Sequence, residues 1–202
     1  MWSWSLNWGR VSPEMLIGSC PMTPADLSRI QSGTGVSAIL SLQHDACLAF
    51  WGIDEERMRQ AGKGLGLRME RCPIRDFDLA DMRRQLPAAV SLLGDMIAQG
   101  HRVYVHCTAG MGRAPLTVLG YLVMVRRLPR ETAIKLILAG RPVAVPAWEA
   151  LEGCVADLTA RHREAIEHRA HELHGQGVNN NRDEDWEQAQ TEILRSVLLP
   201  GG

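Results

Sequence analysis

The sequence predicts a layered α/β fold in one domain. Short β-branched or apolar runs alternate with longer segments of helical periodicity, the pattern of strands packed between helices. At 202 residues, 46% of them apolar, the chain is long enough for one sizeable core. One apolar segment that follows a strand is hydrophobic on every side, as a buried central helix must be.

Taken in order, strands are predicted over residues 15–18, 36–42, 68–74 and 102–106. Thr23 before Pro24 is a good N-cap and opens a helix over 24–31. Helices over 53–63 and 81–99 each close at a glycine, Gly64 and Gly100. The fully apolar helix spans 115–126, and helices over 129–139 and 146–173 follow. A polar, glycine-containing break at 175–183 reads as a loop or linker. Beyond it Trp186, Ala189, Ile193, Val197 and Leu198 recur near helical spacing, so an amphipathic helix over 184–199 is expected. It is too short to stand alone in water and is expected to dock through Trp186, Ile193 and Val197. The organisation is therefore a domain over 1–174 and a linker with a docked helix over 175–202.

Composition excludes several function classes. The formal net charge is -1, so no overall field draws the chain to nucleic acid or an anionic membrane. The longest apolar run, 114–125, is too short to span a bilayer. Residues 1–10 are polar and Trp-rich, without an apolar leader core, and no transit peptide is visible; a cytoplasmic location is expected. Five scattered cysteines, Cys20, Cys47, Cys72, Cys107 and Cys154, lack metal-ligand spacing and suit a reducing compartment. His168, His171 and His174 lie on roughly one side of the 146–173 helix. No cysteine or aspartate stands near them in sequence to complete a ligand set, so they read as a solvated face and no metal is expected.

The segment 102–115, RVYVHCTAGMGRAP, carries the chemistry. A buried strand delivers Cys107, a glycine-containing loop follows, then Arg113 and a helix. A thiol is a poor nucleophile at neutral pH unless its environment favours the thiolate. A loop curled around the sulfur aims backbone N–H groups inward, and the helix N-terminus adds positive potential. The same amides, from Thr108, Ala109, Gly110, Met111 and Gly112, suit phosphate oxygens, with Gly110 and Gly112 supplying the backbone freedom. Arg113 offers a planar fork to two phosphate oxygens, and His106 is expected to fix the loop. A strand-end cysteine alone is most often an inert core residue; strand, His-Cys, glycine loop, arginine and helix in this order are not explained that way.

These residues resemble the protein tyrosine and dual-specificity phosphatases, whose signature is His-Cys, five residues, then Arg. Cys107 follows three earlier strands, which favours the dual-specificity branch. The resemblance implies a single three-layer domain with a central, mostly parallel sheet flanked by helices. It also implies a phosphocysteine intermediate, no cofactor, and an aspartate general acid on a loop upstream of the cysteine. Asp76, Asp78 and Asp81 stand there. Asp76 comes directly after the 68–74 strand and is preferred, Asp78 is second, and Asp81 is read as the cap of the next helix.

Three stretches taken together, HCTAGMGRAP, the acid loop IRDFD and LQHDACLAFWGID, are similar to the plant starch or glucan phosphatases, relatives of laforin, as is the opening LNWGRVSPEMLIGSCPMTPADL. The likeness runs over about 6–160. It implies a phosphorylated glucan as substrate, with Phe50, Trp51, Phe77 and Trp8 holding sugar. The residues agree: aromatics are only 5% of the chain, yet both phenylalanines lie in these loops beside Trp51, and flat aromatic faces stack on glucose C–H faces. No lysine or histidine stands between Cys107 and Arg113, which suits one phosphate on a neutral polymer better than a multiply charged ligand. Ala114 departs from the hydroxyl residue most of the superfamily carries there, so breakdown of the phosphocysteine is expected to be slow unless Thr108 or water compensates. The plant glucan enzymes share the alanine. Rival readings are a protein phosphatase with the same catalytic residues and an inactive glucan-binding or scaffold protein. The sequence specifies no oligomeric state.

Overall fold

The computed structural model describes residues 4–177 and 181–199. Five strands form one sheet: β1 (Trp8–Arg10), β2 (Met15–Gly18), β3 (Ala38–Gln43), β4 (Arg68–Ile74) and β5 (Val103–His106). Their order is β1-β2-β5-β3-β4. All neighbours are parallel except β1, which pairs antiparallel with β2, Trp8 opposite Gly18. β1 is absent from the sequence reading because three residues are too few to show a period.

Nine helices are described: α1 (Pro24–Thr34), α2 (Asp45–Trp51), α3 (Glu55–Gly64), α4 (Leu79–Ala98), α5 (Arg113–Gly120), α6 (Arg130–Gly140), α7 (Trp148–Arg161), α8 (Arg163–Gly175) and α9 (Arg182–Leu198). After α5 the chain continues through a wider π turn, Tyr121–Val125. The single helix expected over 146–173 is two, because His162, at φ −110 and ψ 19, leaves helical geometry between α7 and α8. The short α2 was not anticipated; His44 caps it, its Nδ1 accepting from the Ala46 amide at 3.3 Å.

Side chains alternate across the sheet, and this makes two cores. Leu16, Ile39 and Tyr104 face α1 and α3, meeting Leu27, Ile30 and Met58. Ile17, Leu40, Leu42, Val103 and Val105 face the other way, into the larger core with α4 to α7. Every residue of α5 is buried there, as its sequence requires. The central position belongs to β5, whose C-terminal end runs into Cys107. In open parallel sheets that end is where ligand chemistry collects.

α9 packs on α8, where Ala189 joins Ile166 and Leu173 while Trp186 and Ile193 are half-buried. Its Leu194 and Leu198 enter the main core, and Leu199 lies so close to α4 that a Cβ on Gly94 would fall 2.4 Å from its Cδ2. Trp186 and Ile193 thus dock as expected, whereas Val197 is on the exposed side. Part of the 175–183 break lies outside the described residues. Among the described residues no helix is long and apolar enough to cross a membrane.

Candidate active site

The loop from Cys107 to Gly112 links the end of β5 to the N-terminus of α5. Cys107 is buried. The His106 ring lies 3.0 Å from the Cys107 carbonyl oxygen; a carbonyl only accepts, so Nδ1 carries the hydrogen. Full burial pushes the His106 pKa down to about 4, so the ring is neutral near pH 7. The Cys20 amide donates to the Thr108 carbonyl at 3.0 Å. Gly110 stands at φ +68, and a Cβ there would lie 2.4 Å from the Gly18 carbonyl oxygen, so both backbone shape and space demand glycine. Gly112, expected to share that demand, is at φ −107 with open space around it.

Arg113 opens α5 and is wholly buried. Nη1 donates to the Ile74 carbonyl at 2.9 Å and faces Cys47 Sγ at 3.4 Å. Nη2 donates to Asp76 Oδ2 at 2.6 Å and to Thr108 Oγ1 at 3.1 Å. Burial works against its charge, but Cys107, Cys47 and Asp76 together outweigh it. Its buried Nε has no hydrogen-bond partner among the described residues. Such a donor suits a phosphate oxygen, since an orphaned one costs free energy.

The three aspartates separate cleanly. Asp78 caps α4, accepting from the Asp81 amide at 2.9 Å. Asp81, expected as that cap, is instead buried inside the first turn; it accepts from the Arg75 amide at 2.7 Å and pairs with Arg84. Only Asp76 of the three meets Arg113. It is exposed, where a carboxyl can meet a bound molecule.

Asp76 also divides two recesses. One, of about 590 Å³, is lined by Phe50, Trp51, His44, Cys47 and Thr108 as well as Asp76. The other, of about 630 Å³, contains Cys107, Phe77, Met111, Val145 and Trp148. Phe50 and Trp51 meet edge to face at 5.2 Å. Phe77 is 94% exposed at φ +58, a costly backbone state for a bulky residue. Trp8 lies elsewhere: its ring packs edge-on against Tyr104 and covers Gly33 in the smaller core.

Residues 35–152 match the catalytic domain of dual specificity phosphatases. The chain belongs to the dual specificity phosphatase family. A curated relative, phosphoglucan phosphatase DSP4 of Castanea sativa, is 35% identical over 163 residues, which cover 80% of this chain and 43% of the relative. Laforin of Mus musculus is 27% identical over 172 residues, covering 78% and 51%. Phosphoglucan phosphatase LSF1 of Arabidopsis thaliana is 33% identical over 117 residues, covering 58% and 20%. The chain thus spans about half the length of these relatives, or less. The crystal structure of PTPMT1 superposes with a TM-score of 0.57 over 78% of this chain and 99% of that one, at 23% identity, a likeness of fold.

Against the family's signature, Cys107, Asp76, Arg113, Thr108 and the loop glycines come together as one site, and Phe50, Trp51 and Phe77 stand beside it. Cys20, Cys72 and Cys154 do not belong to it; burial pushes their thiols up to about 12, 11 and 12. Three members of the site were missed. Trp148 had a usable signal, an aromatic at a helix start. Cys47 and Arg141 had none, because their approach to Arg113 and to the phosphate loop depends on distant parts of the chain.

Proposed function

We propose that the chain is a cysteine-dependent phosphatase that removes phosphate monoesters from phosphorylated glucan. The Cys107 thiolate attacks phosphorus while Arg113 and the loop amides bind the equatorial oxygens. The bond to the sugar oxygen breaks as Asp76 gives that oxygen its proton. Asp76, now a carboxylate, takes a proton from water, whose oxygen attacks the phosphocysteine. Phosphate leaves, and the thiolate and the protonated acid are restored.

The observation that carries the glucan reading is the exposure of aromatic rings on both sides of the acid. Phe50 is 80% and Phe77 is 94% exposed, and each borders a recess that Asp76 also lines. Large rings left in water beside a catalytic group are poorly explained by packing. The relatives named phosphoglucan phosphatases support the same reading.

Trp51→Ala separates this substrate from a phosphoprotein. Loss of one stacking face costs about 1–3 kcal/mol, by analogy with base stacking, or roughly a tenfold to hundredfold fall on phosphorylated amylopectin. A small aryl phosphate, which uses only the cradle and the acid, should be turned over nearly as before. Equal losses on both substrates make Trp51 structural, and unchanged glucan activity removes it from the sugar path. Either result, with higher turnover on a phosphopeptide panel, favours the protein-phosphatase alternative; no turnover of any ester favours the scaffold.

A further inference from the structure

The segment after α6 reaches back to the phosphate loop and holds three consecutive carbonyls of it. Arg141 Nη2 donates to the Ala109 oxygen at 2.7 Å, and Arg141 Nε donates to the Gly110 oxygen at 3.2 Å. The Val145 amide donates to the Met111 oxygen at 2.7 Å. These peptides are trans, so carbonyl and amide hydrogen of each unit point opposite ways. Holding the carbonyls of residues 109, 110 and 111 from outside turns the N–H groups of Gly110, Met111 and Gly112 the other way, to the inside of the loop.

The bracing segment is itself anchored by backbone contact. A Cβ on Gly140 would lie 2.0 Å from the Arg10 carbonyl oxygen, and one on Gly9 would lie 1.7 Å from that of Gly140. The end of α6 is thus pressed against β1, and Arg141 leaves it at a set angle.

The choice of arginine is informative. Arg141 is 6% exposed and, among the described residues, makes no ion pair with a carboxylate. Burial pulls its guanidinium down from its usual range, while Tyr104 and Cys107 act against that. A brace alone has no need of a buried charge, which is costly to desolvate. Negative charge does gather on the inner side of this loop, first as a thiolate and then as a phosphoryl group.

We propose that Arg141 is a positioning residue of the reaction: with the Val145 amide it moulds the phosphate loop so that the loop amides converge on phosphoryl oxygens, and its charge offsets the anion held there. The idea stands apart from the choice between glucan and protein, because any phosphate ester uses the same loop.

The test uses tungstate as a phosphate mimic, with its affinity measured by calorimetry, together with turnover of p-nitrophenyl phosphate and the melting temperature. Arg141→Met should bind tungstate roughly tenfold more weakly, the scale of one charge-assisted hydrogen bond. Its kcat should fall by about a hundredfold, the scale of a lost oxyanion donor. Arg141→Lys keeps the charge but lacks the rigid fork that places two separate nitrogens on the two carbonyls, so its values should lie between those of parent and Arg141→Met. A folded Arg141→Met that binds tungstate as tightly as the parent, with only a lower melting temperature, overturns the proposal. If Arg141→Met does not fold, Arg141→Lys decides, and parental tungstate affinity in that variant sinks the geometric claim.

Discussion

Arg113 Nη2 lies 2.6 Å from Asp76 Oδ2, so the cation proposed to bind phosphate and the candidate acid are paired with each other. The same nitrogen also reaches Thr108 Oγ1 at 3.1 Å. Under the proposed function, a phosphate dianion bound by this fork competes with Asp76 for it and so frees Asp76 to turn toward the leaving oxygen.

Asp76→Ala should lower turnover by roughly a hundredfold to ten-thousandfold, the scale of a lost general acid. The loss should shrink on aryl phosphates with acidic leaving groups. Asp78→Ala should instead reduce stability by about 0.5–2 kcal/mol through loss of the α4 cap. Steady-state kinetics and chemical denaturation of the pair check the assignment, and a large rate loss from Asp78→Ala alone would reverse it.

Gly110→Ala should disable the cradle. A side chain at φ +68 costs about 1–2 kcal/mol, and the added carbon meets the Gly18 carbonyl. The loop must shift to relieve both, so oxyanion affinity measured by vanadate inhibition should fall more than in Gly112→Ala. Equal inhibition constants for the two variants would show that the loop is more pliable than its contacts imply.

His106 predicts a pH dependence of stability. Its folded value of about 4 lies below the ordinary histidine value of 6.5, so the unfolded chain binds the proton more readily. Its contribution is intact above the higher value and is lost as pH falls from there to the lower one. The loss is on the order of 3 kcal/mol. Melting temperatures of the parent and His106→Asn, compared across this window, should converge toward acid. Parallel curves would mean that the ring is not buried and neutral.

Truncation after Gly177 should lower the melting temperature, because Leu194 and Leu198 leave the main core. Each large apolar group contributes about 1.5–3 kcal/mol when buried. Unchanged melting would mark α9 as dispensable. Val197→Ser, on the exposed side of α9, should have a much smaller effect than Leu194→Ser.

What could be read from the chain alone was whatever its chemistry requires in consecutive residues. Strand, Cys107, loop, Arg113 and the apolar α5 are contiguous, and their order carries the mechanism whatever surrounds them. The same holds for β2, β4 and α1, whose periods or caps are local. The tertiary structure decided the rest because it depends on which distant residues the sheet brings together. Placing β5 between β2 and β3 sets Gly18 against Gly110, and Cys107 at the central strand's end. It also decided that Trp8 packs against Tyr104, that Asp78 and not Asp81 caps α4, and that α9 docks through Leu194 and Leu198. Arg141 shows the limit most sharply. An arginine in a turn has no local mark of burial, and the close contact of Gly9 with Gly140 helps to hold it behind the loop after β5.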